Sequence, residues 1–336
     1  MTNLDTRRLE QSGIKSLGDL KRSGKITGKI DNSKRVNGPA SMDCLVRPWQ
    51  RGDLTGGLAG AGVGKTSWVL YVFKHILLNN DDGFVVFVSL EMTAVEIAEK
   101  WYKATEDNPE LADRLYIIEN YDDQGKSRDL TASDIKLELS NIKDTLNDTM
   151  HAFVIDHLHE ININGSVDYN PVCKELKNIA VELDSHGFIL SQTTKGKGIG
   201  DIPVEKSGCF GTSRYEWLMT NIITIFQPLR RVEKECSLSI MGWQYAKIRY
   251  KNKSDKVKEG MNYLLRFDFD TEDLIELDTA EVATFKMYYD KVLELRQNEA
   301  KFKSFQFDLS REIKGKDGKV VKLDEVFGGG TPDDEL

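Results

Sequence analysis

Cysteine and histidine are scarce in this chain, four and five among 336 residues, and no apolar run approaches the ~18 residues that cross a bilayer. Cys44, Cys173, Cys209 and Cys236 are scattered with no C-x-x-C pair, so they read as free thiols and not as a zinc site or a disulfide framework. His157 and His159 form an H-x-H, but no further Cys or His cluster lies nearby to complete a metal site. The opening "MTNLDTRRLEQSG" lacks an apolar stretch for export, which leads us to expect a cytoplasmic protein with no membrane contact. Positive charge is also short overall: the net charge of −8 excludes a surface coated with nucleic-acid contacts, though not a local basic channel. The stretch Lys247 to Lys258, "KIRYKNKSDKVK", is strongly basic, whereas the final "TPDDEL" is acidic. No G-x-G-x-x-G register fits the glycines and no internal repeat is visible, which disfavours a dinucleotide fold and a repeat architecture.

What is present begins with "LAGAGVGKTS", Leu58 to Ser67. It matches the phosphate-loop pattern G-x-x-x-x-G-K-[ST] with Ala59 in the first position and Gly64, Lys65 and Thr66 at the end. The tight backbone needs its freedom mainly around Gly60, Gly62 and Gly64, so alanine at the first site is a mild departure. Successive backbone N–H groups and the positive end of the following helix, "SWVLYVFKHILL", would cradle a triphosphate. Ala59, Gly60, Ala61, Gly62, Val63, Gly64, Lys65, Thr66 and Ser67 are the expected nucleotide-binding residues. Lys65 would reach the β- and γ-phosphates, and the Thr66 hydroxyl would hold Mg²⁺.

Residues 1–40 are polar and read as an arm or linker. From about Met42 short apolar runs alternate with longer amphipathic stretches, as in strands crossed by helices. The expected strands are Phe84–Ser89, Leu115–Ile118, Ala152–Asp156, Phe188–Gln192 and Ile222–Phe226, continuous and β-branched as in a parallel sheet buried on both faces. "CSLSIMGWQYAKIRY" and "NYLLRFDFDTEDLIEL" are longer strand-like runs, read as an antiparallel extension of that sheet. The fold class is therefore α/β, mostly parallel and flanked by helices, with its core over 41–280. Residues 281–336 form a charged helical extension ending in the acidic tail.

Three polar residues close successive strands. Asp156 ends "AFVID", the expected place for a carboxylate supporting Mg²⁺. Glu91 follows "FVVFVS" in "SLEM", where it could orient and deprotonate a water. Gln192 ends "ILSQ", where an amide could sense the γ-phosphate. Each alone is also a common way for a strand to end, and it is their conjunction after a phosphate loop that carries weight. Lys247 and Arg249 alternate in "YAKIRYKN" and so share one face, which suits an exposed strand as well as a charge-neutralising arginine. The segment after Gln192, "TTKGKGIGDIPVEKSG", combines glycine with Lys195, Lys197 and Lys206; it reads as a loop tracking single-stranded DNA phosphates or as a solvated surface loop.

"LAGAGVGKTS", "FVSLEMTAVEIAEK", "FVIDHLHEI", "LKNIAVELDSHGFILSQ" and "YAKIRYKN" occur in the order and spacing of the RecA-fold motor domain of DnaB-type replicative helicases, including the helicase half of phage primase-helicases. The chain resembles that family over roughly Leu45 to Phe269. The resemblance implies a RecA-like P-loop NTPase core and an ATP- and Mg²⁺-dependent DNA helicase of replication, forming a hexameric ring around one DNA strand in a bacterial or phage-infected cell. It also implies roles: Lys65 and Thr66 on phosphate and Mg²⁺, Glu91 as catalytic carboxylate, Asp156 on the metal, Gln192 coupling nucleotide to DNA loops, and Lys247 with Arg249 reaching the neighbouring subunit's site. The acidic tail would serve a polymerase, primase or single-strand-binding partner. A RecA-like ATP-dependent single-strand-binding protein or recombination mediator that does not unwind shares the same residues.

The chain departs from the family in having only a short polar arm before the motor. Gly56 and Gly57 stand where apolar β-formers are expected, which weakens that strand. Asn221 stands where an acidic residue is usual.

Overall fold

Strands such as "FVVFVS" are apolar at successive and not alternate positions, so they can be stable only when both faces of the sheet are covered. In the computed structural model they are. It describes residues 34–39, 49–121, 125–166, 168–193, 200–204, 214–249, 259–260, 262–297, 312–314 and 320–322. The chain divides into Met1–Arg35 and Val36–Leu336, and the fold below is that of the second unit. Its parallel strands are β1 (Leu54–Ala59), β2 (Phe84–Ser89), β3 (Leu115–Glu119), β4 (Met150–Asp156), β5 (His186–Gln192) and β6 (Asn221–Phe226). Antiparallel β7 (Ile240–Ile248), β8 (Asn262–Asp268) and β9 (Asp273–Glu276) continue the sheet, giving the order β3-β2-β4-β5-β1-β6-β7-β8-β9. A separate hairpin pairs β10 (Glu312–Lys314) with β11 (Val320–Lys322).

Helices α1 (Lys65–Leu78) and α2 (Ala94–Ala104) cover one face, where Trp68, Phe73, Ile97 and Trp101 bury Val85, Phe87, Val154 and Phe188. Helices α3 (Ala132–Leu146), α4 (Asn170–Glu182) and α5 (Arg214–Leu218) cover the other, where Ile135, Leu139, Leu176, Ile179 and Tyr215 bury Val86, Val88, Phe153, Ile155 and Ile189. The alternation of neighbours such as Phe153 and Val154 between the two cores is the period-2 geometry of a strand. No helix among the described residues is long and apolar enough to cross a membrane.

The glycines of β1 do not mark a weak strand, contrary to the expectation from sequence. β1 is central, paired with β5 and β6. A Cβ on Gly56 would lie 2.6 Å from the hydroxyl of Tyr215 and 2.7 Å from its ring, and Tyr215 is fully buried and donates to Ile189 O at 2.6 Å. Gly56 is the space that the ring of Tyr215 fills. Gly56→Ala is expected to destabilise the protein by about 1–3 kcal/mol, the usual cost of overpacking, as read by denaturant titration. An unchanged midpoint would show that Tyr215 withdraws at no cost.

The antiparallel part has three strands where two runs are expected. The second run folds back because Asp268 accepts hydrogen bonds from the amides of Asp270 (3.0 Å) and Thr271 (3.1 Å), and Glu272 takes φ +52°, so "FDTED" is a turn between β8 and β9. β7 and β8 are locked in register by Trp243 stacked on Tyr263, with ring centroids 3.9 Å apart, a cross-strand pair of the kind that contributes about 0.2–1 kcal/mol.

Beyond β9, α6 (Thr279–Gln297) lays Val282, Phe285, Tyr289 and Val292 on Leu229, Val232, Cys236 and Ile240. Near its end Arg296 donates to Asp201 O at 2.8 Å and pairs with the fully buried Asp201 carboxylate at 3.2 Å; Arg231 takes the same carboxylate. A buried carboxylate is tolerable only with such compensation, and the triad fixes residues 200–204 against the core. Cys173 and Cys236 are buried free thiols; Cys44, Cys209 and most of the N-terminal arm lie outside the described residues.

Candidate active site

The parallel strands all end at one edge of the sheet, where α/β folds bind ligands. In register, Ala59 of β1 stands beside Gln192 of β5, and Ser89 of β2 beside Asp156 of β4. The loop from Gly60 to Gly64 leaves β1 there. Gly64 has φ +97°, a conformation strained for any L side chain, and a Cβ on it would lie 2.5 Å from Met241 Cε. The chain thus turns directly into α1, which has no side-chain cap and no acidic residue in its first turn. By contrast α2 and α3 close their first turns with capping boxes, Thr93 with Glu96 and Thr131 with Asp134. The leading amides and the positive dipole end of α1 are left for an anion.

Lys65 is buried just inside that helix. Burial lowers its pKa, opposed by the charges of Asp156 and Glu91, and its one hydrogen bond among the described residues is a long 3.4 Å to Gly60 O. An ammonium so poorly compensated calls for an anionic partner. Beside it the Thr66 hydroxyl donates to Asp156 Oδ2 at 2.7 Å. Burial raises the Asp156 carboxyl, countered by the Thr66 hydrogen bond and the Lys65 charge. A hydroxyl and a carboxylate sharing one spot are hard oxygen donors of the kind Mg²⁺ takes, so the residues fit that ion together with a polyphosphate. Among the described residues no group of three or more His, Cys, Asp or Glu is placed to hold a metal, and His159 turns away to pack edge-on against Tyr169.

Glu91 stands just past β2 with its side chain 57 % exposed, open to solvent where Lys65 and Asp156 are not. His157, directly after Asp156, is buried and places Nε2 3.4 Å from Glu91 Oε2 and 3.1 Å from Gln192 Nε2. Burial, aided by the charges of Lys65 and His159, pushes its pKa down to about 4, so the ring is neutral at neutral pH. In the sequence His157 stands out only as half of an H-x-H pair; its contact with two other strand ends depends on the order β2-β4-β5, which no local signal carries.

Arg230 has no sequence signal either. Its guanidinium donates to Ala61 O at 3.4 Å and lies beside Gly62 and Gly200, so the segment after β6 returns to the phosphate loop. Next to it a cavity of about 500 Å³ is lined by Gly62, Gly64, Ser67, Arg230, Cys236, Met241, Phe267 and Phe269 among others. Phe269 is 70 % exposed at its rim.

Lys247 and Arg249 are elsewhere. β7 runs antiparallel to β6, pairing Phe226 with Gly242 and Asn221 with Ile248, so its end lies at the far edge of the sheet from the phosphate loop. The six residues of β1 separate the two edges, ~20 Å at 3.3 Å per residue. β7 is an interior strand, not an edge. Lys247 is half-buried and donates to Glu216 O and to Met219 O (3.1 Å), while exposed Arg249 donates to Trp217 O. Both thus bond carbonyls at the end of α5, where cations are favoured. Lys195, Lys197 and Lys206 lie outside the described residues.

No protein-family model and no curated protein matches the chain. Solved structures do. A helicase ATPase domain is matched at TM-score 0.58 and 17 % identity over 80 % of this chain and 99 % of that one. A DnaB-like replicative helicase, solved in a study of its interactions with primase, is matched at TM-score 0.61 and 18 % identity over 82 % of this chain and 72 % of that one. A KaiC-like protein of Pyrococcus horikoshii OT3 is matched at TM-score 0.50 and 13 % identity over 72 % and 96 %. With a phosphate loop at the end of its central strand and this set of structural neighbours, the chain has the RecA-like P-loop ATPase fold shared by DnaB-like helicases and KaiC-like proteins.

Proposed function

We propose that this protein is an ATP-dependent DNA helicase that works as a ring in replication, hydrolysing ATP between subunits while it moves along single-stranded DNA in the cytoplasm. The observation that carries the reading is the shared edge of β1, β2, β4 and β5, which gathers Lys65, Thr66, Glu91, Asp156 and Gln192, while Arg249 stands at the opposite edge. Lys65, the loop amides and Ser67 hold the phosphates. Thr66 and Asp156 hold Mg²⁺, which neutralises charge on the phosphates when bound. The cavity beside Arg230 and Phe269 suits the nucleoside, with an exposed ring for a base to stack on. Glu91, half in solvent, orients and deprotonates the attacking water. Gln192 senses the γ-phosphate and passes its state to the loop that carries Lys195, Lys197 and Lys206, whose ammonium groups track DNA phosphates without reading bases.

Arg249 cannot reach its own phosphate loop across the sheet. A guanidinium there acts only on a neighbour's nucleotide, with Lys247 beside it, which makes hydrolysis depend on assembly into a ring. The acidic tail is left for a polymerase, primase or single-strand-binding protein. A forked duplex with one labelled strand tests the reading: ATP is expected to displace the strand, and a non-hydrolysable analogue is not. ATP hydrolysis stimulated by single-stranded DNA without displacement would favour a RecA-like binding protein or recombination mediator instead.

A further inference from the structure

We infer that His157 is a positioning residue whose Nε2 joins Gln192 to Glu91, so that the state of one strand end is passed to the next by exchange of a hydrogen bond. The inference rests on the roles proposed above for those two residues and adds the link between them.

The geometry makes opposite demands on one atom. At 3.1 Å the Gln192 amide N–H needs Nε2 without a proton, and at 3.4 Å the Glu91 carboxylate needs it with one. A neutral imidazole meets one demand at a time. Nδ1 is buried without a hydrogen-bond partner among the described residues. Leaving a buried acceptor unpaired is more readily tolerated than leaving a buried N–H unpaired, so the proton belongs on Nε2 once Gln192 lets go. The ring itself is held, because His157 is 4 % exposed and follows directly on β4. Glu160 is a third, more distant partner, with Oε1 3.8 Å from Nε2. When Gln192 turns to the nucleotide or to the DNA loop, Nε2–H becomes free to hold the exposed Glu91 carboxylate toward the phosphate loop. When Gln192 returns, Glu91 is released into solvent and loses its orientation. Hydrolysis is thereby tied to Gln192, although Gln192 and Glu91 stand on β5 and β2 with β4 between them.

The test is a double-mutant cycle read in steady-state ATPase with saturating single-stranded DNA. His157→Ala and Gln192→Ala are each expected to lower the DNA-stimulated kcat roughly 10- to 100-fold, the range of one hydrogen bond to a charged group, with KM for ATP changed by less than about threefold. The double variant is expected to be no slower than the worse single one. Losses that multiply in the double variant would show two independent residues and overturn the link. His157→Gln, which keeps a nitrogen donor and an oxygen acceptor within similar reach, is expected to recover part of the rate. If His157→Ala also loses nucleotide affinity, its fold is damaged, and the cycle of His157→Gln with Gln192→Ala decides by the same criterion. A wild-type protein that hydrolyses no ATP, or is not stimulated by DNA, would remove the proposed function and this inference with it, and that result is seen before any variant is compared.

Discussion

Glu91→Gln is expected to bind ATP as tightly as the wild type and to hydrolyse it roughly 10²- to 10⁴-fold more slowly, the contribution of a positioned general base. The substitution keeps the shape of the side chain and removes only the group that accepts the proton. Glu91 forms no part of the phosphate cradle: it is more than half exposed, and its polar contact is with His157, whereas the cradle is built from Gly64, Lys65 and Thr66 at the start of α1. Lys65→Ala should behave in the opposite way, losing affinity first, because it removes the buried ammonium that the phosphates compensate. Titration with a fluorescent nucleotide and a single-turnover assay separate the two quantities. If Glu91→Gln loses affinity to the same degree as Lys65→Ala, the carboxylate supports the cradle and the water is activated elsewhere.

Arg249→Ala is expected to reduce turnover by roughly 10³- to 10⁵-fold if its guanidinium neutralises charge on a neighbour's γ-phosphoryl group. The pure variant should be nearly inactive, as should pure Lys65→Ala, one lacking the finger and the other the cradle. Mixed, the two should recover activity, because an interface that takes Lys65 from one variant and Arg249 from the other is chemically complete. Random mixing makes about a quarter of sites whole, and the recovery falls below that fraction if hydrolysis passes in order around a closed ring. The sheet geometry sharpens the expectation, since the far end of β7 cannot serve the phosphate loop of its own chain. Exchanged mixtures as inactive as either parent would mean that the ring demands every site, and Arg249→Ala mixed with wild type reads that case directly. Activity near wild type in pure Arg249→Ala would remove the residue from the mechanism. In that event its bond to Trp217 O is its role, holding α5 against β7.

Much of this molecule is written in short stretches. A phosphate loop is one contiguous turn whose glycines and lysine serve adjacent backbone and phosphate groups, so Ala59 to Ser67 is legible without the fold. Continuous apolar runs reveal buried parallel strands in the same way. Because a polar residue directly after such a run must emerge at the strand's end, Glu91, Asp156 and Gln192 are placed at β2, β4 and β5 by chain position alone. The basic pair Lys247 and Arg249 is visible as composition, and its location at the far edge is not.

Every relation between strands distant in sequence needs the folded sheet. The β3-β2-β4-β5-β1-β6 order brings His157 between Glu91 and Gln192, sets Gly56 opposite Tyr215, and returns Arg230 and Met241 to the phosphate loop. Each of these is a contact across the sheet or its covering layer, set by which strands pair and which helix fills the space above them. A glycine or a histidine carries the same local signal whether or not such a partner arrives. The order of residues along the chain thus specifies the chemistry available and the strand ends where it stands. Packing specifies which of those groups meet, and that Arg249 faces away from its own site, because strand order and direction are properties of the whole sheet and not of any segment in it.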